Sequence, residues 1–540
     1  MIALTLDTEI VPPENEAPEP PRRKGEADLS LLEDRAPAWA RVTRTTALLA
    51  AGLSFIFAMA SFLPLWHTDV WGHLSYGRWI AQHKALPETE PLLPLCEGVR
   101  FVDTAWLSQV GGYFAEKWFG VTALQFLFAA SITFCAATLC ILSARRTRSN
   151  LAGGIAAGTF LFVDYQQLII ARPQLAGLAC FVVVFAMLTA QRWRSIYWFA
   201  MPVTFILWAN LHGSFPMGLL LIACFVAGRI IDLYRRTGNT RALWRDATLR
   251  RHFLLLQLCA AAVLVNPYGL QLYLETVRVA ANRNLQDLVD WDPLTFRMSQ
   301  GKAAAIALIG LIAALRYSPR RVTAAEALTL TVFGLGACYS SRIIVWWAPV
   351  CAWSLALHAD AALRKLRNSD ASEPPRRSGL STVAMLGLIW IAFGYSPFGM
   401  RVIHGAPKTP EEAARRLQRS VSIPTPIAAA KYLTEHPPVG QCFNTYEWGD
   451  YLLWAGPPGT KWFVASHAHL VPREVWEDYL RIVSVSRDWE SRLDRYGVNT
   501  VVLERNTGAD LVRSLKERAE TWTLEYEDAV TAIFIRKRSI

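Results

Sequence analysis

About eleven apolar runs crowd residues 46–398, and no soluble fold can bury so many in succession. They lie at 46–64, 120–142, 151–170, 174–190, 196–210, 215–233, 253–266, 301–316, 323–339, 343–359 and 380–398. A helix needs about 20 apolar residues to cross a bilayer, and most of these runs approach that length. The runs at 196–210 and 253–266 are short, which suits helices that tilt little or stop at a cavity. Composition agrees: 53% of the chain is hydrophobic and only 18% charged, where a soluble domain carries about 25% charged residues. A soluble enzyme, a disordered chain and a collagen-like chain are excluded. Nine cysteines in 540 residues, with no C-x-x-C pair, give neither a disulfide scaffold nor a zinc or redox motif. The chain reads as a polytopic α-helical membrane protein.

The net charge of +11 does not signal nucleic acid. The arginines form short clusters between apolar runs, without the continuous basic stripe of a nucleic-acid groove. Alternate connections carry Arg145, Arg146 and Arg148; Arg192 and Arg194; Arg235, Arg236, Arg241, Arg245, Arg250 and Arg251; Arg316, Arg320 and Arg321; and Arg364, Lys365, Arg367, Arg376 and Arg377. The connections between them are poor, with Arg172 alone near 171–173 and Arg342 alone near 340–342. Positively charged loops stay in the cytoplasm. The expected topology therefore has a cytoplasmic N-terminus, a multi-pass region in the cytoplasmic (inner) membrane, and an extracytoplasmic C-terminus.

Three regions follow. Residues 1–42 hold a Pro/Glu-rich stretch without apolar periodicity and read as a disordered cytoplasmic tail. Residues 43–399 form the membrane region, with long outer loops at 65–118 and 267–300. Residues 400–540 alternate helical and strand patterns and read as a soluble α/β domain, large enough to bury a core of its own.

The first outer loop carries the most chemistry. Asp69 follows the first span directly, and His73 lies four residues on, on the same face if the segment is helical. Such a pair supplies a general base or metal ligand and its proton partner; the plainer alternative makes Asp69 a helix N-cap. Arg172, Asn210, His212, Asn266 and Arg342 fall at the same outer level. Arginines there could hold a phosphate bidentately, or be helix-end residues reaching for the interface. His467-Ala468-His469 would place two imidazoles on one strand face, a weak metal signal without a third ligand.

The stretch Trp66-His67-Thr68-Asp69-Val70-Trp71-Gly72-His73-Leu74, then Leu86-Pro87-Glu88-Thr89-Glu90-Pro91, is similar to the first loop of oligosaccharyltransferase catalytic subunits and, more broadly, of the GT-C superfamily of multi-spanning glycosyltransferases. Asn210-Leu211-His212-Gly213, Asn266-Pro267-Tyr268-Gly269 and Asn444-Thr445-Tyr446-Glu447-Trp448-Gly449-Asp450-Tyr451-Leu452 extend a closer resemblance over nearly the whole chain, to a group of bacterial membrane proteins with a C-terminal α/β domain. The resemblance implies a GT-C-like fold and a membrane glycosyltransferase that moves a sugar from a polyprenyl-phosphate donor to an extracytoplasmic acceptor. It assigns Asp69 as base or ligand of a divalent metal, Mg or Mn, and Glu90 as a second acid. Relatives carry His-Glu before Trp-Leu where this chain has Thr104-Ala105 before Trp106-Leu107, so Asp103 is the substitute for that acid. His73, Arg172, His212, Asn266 and Arg342 are then the substrate contacts. A non-catalytic envelope or binding protein on the same scaffold is the alternative. A transporter comes third, since no mid-span carboxylate stands out.

Overall fold

The computed structural model describes residues 34–367 and 376–537; most of the expected tail, 1–33, lies outside them. All eleven apolar runs are helices. Five are long and apolar enough to cross a membrane: Arg44–Ser61, Val121–Thr147, Phe215–Thr237, Ser299–Tyr317 and the Ser341–Arg367 unit. Gln174–Leu188, Tyr197–Leu211 and Ala324–Tyr339 are shorter apolar helices. Gly379–Tyr395 runs on into Pro397–His404 across an 82° bend, where Ser396 caps the second helix by accepting from the Gly399 N–H. Asn150–Leu168 and Ala247–Val263 complete the set. Hydroxyl caps open several of these helices, with Thr43, Ser149, Thr323 and Ser378 accepting first-turn N–H groups, as orphan donors at a helix start require.

The Ser341–Arg367 unit is the hub, 83% of its apolar window being buried by its neighbours. Beside it, Asn150–Leu168 carries Asp164, fully buried one turn from the helix end. A buried carboxylate therefore does exist within a predicted span. A two-residue ribbon, β1 (Val42–Thr43) against β2 (Arg377–Ser378), ties the starts of the first and last apolar helices to one end of the bundle.

The first outer loop folds as two helices, Val70–His83 and Trp106–Phe119, with an irregular segment between them. The C-terminal part is built on a five-stranded sheet. Its strands are β3 (Gln441–Asn444), β4 (Lys461–Trp462), β5 (Val498–Glu504), β6 (Trp522–Glu527) and β7 (Thr531–Arg536). Their order across the sheet is β4-β3-β5-β7-β6. β3 runs parallel to both β4 and β5, and β7 antiparallel to β5 and β6. β5 is buried along its whole length, as a central strand covered on both faces should be.

This sheet is not a separate body. One continuous buried cluster runs from the membrane helices through Trp71 and Leu74 into Trp448, Tyr451 and Leu452 and on to the sheet. Just past the first apolar helix, the Leu65 N–H donates to the Ser420 carbonyl and the Leu65 carbonyl accepts from the Ser422 N–H, both at 2.8 Å. Trp71 meets Tyr451 edge-on at 5.2 Å. Arg78 donates to the carbonyls of Leu453 and Trp454, closing the C-terminal end of the helix Gly449–Ala455. The expected self-contained core is thus a shared one.

Candidate active site

Asp69 stands where the N-cap of the helix Val70–His83 belongs, yet its side chain caps nothing. Its backbone takes φ 56° and ψ −68°, and the Val70 N–H reaches back to the Thr68 carbonyl at 2.7 Å. That is a γ-turn of the rare positive-φ kind. A non-glycine residue held there costs about 1–3 kcal/mol, and such strain gathers at functional sites. The turn frees the carboxylate from its own helix. Thr68 Oγ1 donates to Asp69 Oδ2 at 3.2 Å, and Arg172 Nε donates to the same oxygen at 2.8 Å.

Asp450, from the other end of the chain, lies against the start of this helix. Its Oδ1 accepts the Ser466 N–H at 3.0 Å, and the Asp69 N–H also stabilises its charged form. Gly72, one turn into the helix, makes room for it: a β-carbon there would lie 2.6 Å from Asp450 Oδ1. Gly449 is equally constrained, since a β-carbon would come within 2.1 Å of the Val464 carbonyl. The Trp448-Gly449-Asp450-Tyr451 stretch is therefore a docking surface for the first loop helix.

Asp69 opens into a cavity of about 490 Å³. Arg172, Asp290 and Arg342 line it from the membrane side, and Thr445, Tyr446, Glu447, Ser466 and Thr507 from the C-terminal sheet. The latter group follows the carboxyl ends of the parallel strands β3 and β5 or lies near them. β3 is succeeded by β4 on one side and β5 on the other, so the cavity meets the sheet at its topological switch point, where α/β sheets bind ligands. Arg172 bridges Asp69 and Asp290, its Nη1 lying 2.9 Å from Asp290 Oδ2. Asp290 was invisible as a candidate in the sequence; its one signal is an acidic Asp-Trp-Asp stretch in the second outer loop. Arg342 stacks over Trp291 at 5.4 Å and, among the described residues, has no carboxylate within salt-bridge distance.

Charge at the site follows from these pairings. Burial alone would raise the Asp69 pKa, but Arg172, His73 and Arg342 outweigh it and hold the carboxyl at about 2. Asp450 goes the other way, pushed up to about 7 by burial and by the Asp69 charge.

The remaining candidate residues lie off the cavity, each for a visible reason. Glu90 is buried, accepting from Tyr76 Oη at 2.7 Å and from the N–H groups of Leu92 and Leu93; it folds the loop between the two loop helices. Asp103 is 2% exposed and accepts from the Ala105 N–H and from Gln109 Nε2, with burial lifting its pKa to about 7. Gln109 shares its amide with His73 Nδ1 at 3.2 Å, so His73 faces inward, edge-on to His467 at 5.2 Å. Burial holds the His73 pKa at about 4 and those of His212 and His467 at about 3. His212 accepts the Ser214 N–H on Nδ1, shaping the turn between two apolar helices. Asn210 ties Trp106 Nε1 to the Ile206 and Val265 carbonyls. Asn266 spends its side-chain polar atoms on its own turn, with Val263, Tyr268 and Gly269.

His467 and His469 do not share a strand face. β4 ends at Trp462, where the Asn444 side chain replaces strand pairing by bonding the Phe463 N–H and the Val464 carbonyl. The chain then turns into a short 3-10 segment at Ala468–Leu470. Cys96 and Cys442 are both buried free thiols.

The implied divalent metal does not fit. Among the described residues no group of three His, Cys, Asp or Glu side chains could hold a metal ion. Asp69 and Asp290, the cavity carboxylates that lie beside each other, already share the Arg172 guanidinium.

No protein-family model matches the chain, and no curated protein is similar in sequence. Solved structures are. An oligosaccharyltransferase from Archaeoglobus fulgidus, tethered to an acceptor peptide containing the NVT sequon, aligns with a TM-score of 0.51 at 13% identity over 91% of this chain and 74% of that one. ArnT from Cupriavidus metallidurans, bound to undecaprenyl phosphate, aligns at 0.50 and 11% identity over 90% of this chain and 97% of that one. The mycobacterial arabinofuranosyltransferase AftD aligns at 0.50 and 14% identity over 93% of this chain and 42% of its own length. Identities this low carry the fold and not the activity. The apolar helices, the two-helix outer loop and the C-terminal sheet together make this chain a multi-pass membrane protein with the fold of the GT-C-type glycosyltransferases.

Proposed function

We propose that the protein transfers a sugar from a polyprenyl-phosphate donor to an acceptor on the outer side of the cytoplasmic membrane. The observation that carries the reading is the ionised Asp69, held by a strained turn in a cavity that also presents arginines. Arg342 is the phosphate contact, because among the described residues its guanidinium has no carboxylate within salt-bridge distance, whereas Arg172 is engaged by two. A carboxyl with a pKa of about 2 is a weak proton acceptor. Asp69 therefore acts through charge: it orients Arg172 and sets negative charge where an anomeric carbon turns positive during displacement. ArnT with undecaprenyl phosphate supports the lipid-phosphate donor.

Comparing lipid-linked sugars in cells with and without the protein tests the reading, a changed profile being expected. An unchanged profile would turn the assignment to a binding protein on the same scaffold. Arg342→Gln should reduce turnover by about 10²–10³-fold with protein levels kept, measured as restoration of that profile. Full activity in the variant would remove Arg342 as the phosphate contact.

The expected topology has eleven spans, with the N-terminus in the cytoplasm and the cavity outside. Phosphatase reporters fused after Tyr395 or within 420–430 should be active, and those near Arg146 or Arg236 silent. Activity at Arg146 would invert the orientation and move the cavity to the cytoplasmic face.

A further inference from the structure

We infer that Arg172 is a built-in counter-cation that excludes a divalent metal from the carboxylate pair Asp69 and Asp290, so that this site works without one. Activity without a metal rests on the proposed transferase reading; the exclusion itself is a matter of binding.

Three segments far apart in sequence converge to make the arrangement. Arg172 Nε is 2.8 Å from Asp69 Oδ2, and its Nη1 is 2.9 Å from Asp290 Oδ2. One planar fork thus satisfies both carboxylates at once, as guanidinium geometry allows and an ammonium would not. Each participant is set by its backbone. Pro173 restricts Arg172 to extended conformations and leads into the helix Gln174–Leu188. Asp69 is fixed by its γ-turn. Asp290 sits in the 3-10 turn Val289–Trp291, which is pinned from two directions: Ser341 Oγ donates to the Asp290 carbonyl at 3.0 Å, and the Ser341 N–H donates to the Asp292 carbonyl at 2.8 Å.

A magnesium or manganese ion seated between these carboxylates would need the place the guanidinium takes. It would also face Arg342 across the same cavity. Magnesium demands near-octahedral oxygen coordination at about 2.0–2.1 Å, and the carboxylate oxygens it would take are the ones that Arg172 already engages. Within this cluster the carboxylates of Asp69 and Asp290 already face the guanidinium groups of Arg172 and Arg342.

The test is Mn²⁺ binding to the full-length protein purified in detergent, read by the loss of the free-ion paramagnetic resonance signal. The wild type is expected to take up no Mn²⁺ that Asp69→Asn removes. Arg172→Gln, which withdraws the charge and keeps hydrogen-bonding capacity, should gain one Mn²⁺ per chain, lost again in the Asp69→Asn/Arg172→Gln double variant. Wild-type binding abolished by Asp69→Asn overturns the inference outright. A folded Arg172→Gln protein that still binds none overturns the exclusion, because the pair would then be no cation seat at all. Should Arg172→Gln fail to fold, the wild-type arm decides alone. Because the readout is binding, an unchanged lipid-linked sugar profile would remove the transferase reading and leave this result standing.

Discussion

Asp69→Asn is expected to lower sugar transfer by about 10²–10³-fold while barely changing the amount or thermal stability of the protein. Asparagine keeps the size and shape of the side chain and changes nothing in the backbone's steric demands, so the γ-turn survives. Its carbonyl can still accept from Arg172, and Arg172 keeps its bond to Asp290. What disappears is the negative charge. A residue that merely began a helix would behave oppositely, since Asn caps as well as Asp and no function would be lost. The measurement is the lipid-linked sugar profile of a strain carrying only the variant. A wild-type profile there, beside an altered one in the deletion strain, would end the assignment of Asp69.

Asp450→Asn should stabilise the protein at alkaline pH and leave it almost unchanged in acid. Burial and the neighbouring Asp69 charge hold the Asp450 carboxyl at about 7, against 3.8 ordinarily. The folded protein therefore prefers the protonated form. Stability from this group is fully present below about pH 3.8 and is lost as pH rises through 7. A tenfold difference in proton affinity between folded and unfolded chain is worth about 1.4 kcal/mol, so the native protein forfeits roughly 1–4 kcal/mol by pH 8. Asparagine is neutral throughout and can still accept the Ser466 N–H. Thermal unfolding in detergent at pH 5 and pH 8 should show the variant gaining on the wild type only at the higher value. Equal loss of stability at both would mean that the carboxylate charge itself holds the first loop helix.

The membrane helices were legible because bilayer crossing demands a run that sequence cannot hide, and their order survived in the structure. Asp69, Arg172 and Arg342 were legible for a related reason: polar residues are costly near such runs and so stand out at their ends. Glu90, Asp103 and Asn266 look equally exposed to chemistry in the sequence. Only the structure shows that Glu90 satisfies the Leu92 and Leu93 N–H groups and that Asn266 is spent on its own turn. Local side-chain-to-backbone bonds of this kind leave no periodicity to read. Asp290 and Asp450 were missed for the opposite reason. Their roles come from partners at positions 172 and 72, and nothing near either residue announces a contact so distant along the chain.

That distance has a consequence for how the protein is made. A ribosome adds about 5–20 residues each second, so Asp450 emerges roughly 20–75 s after Asp69. Throughout that interval the helix Val70–His83 lacks its partner from the C-terminal part, and the turn that aims the carboxylate is held only by groups already made, Thr68 and Arg172. The newborn chain can thread its helices into the bilayer while its reactive corner is still slack. Truncation anywhere before residue 450 would leave the first loop helix without the packing of Trp448, Tyr451 and Leu452, so on the proposed reading the last quarter of the polypeptide is what completes the site.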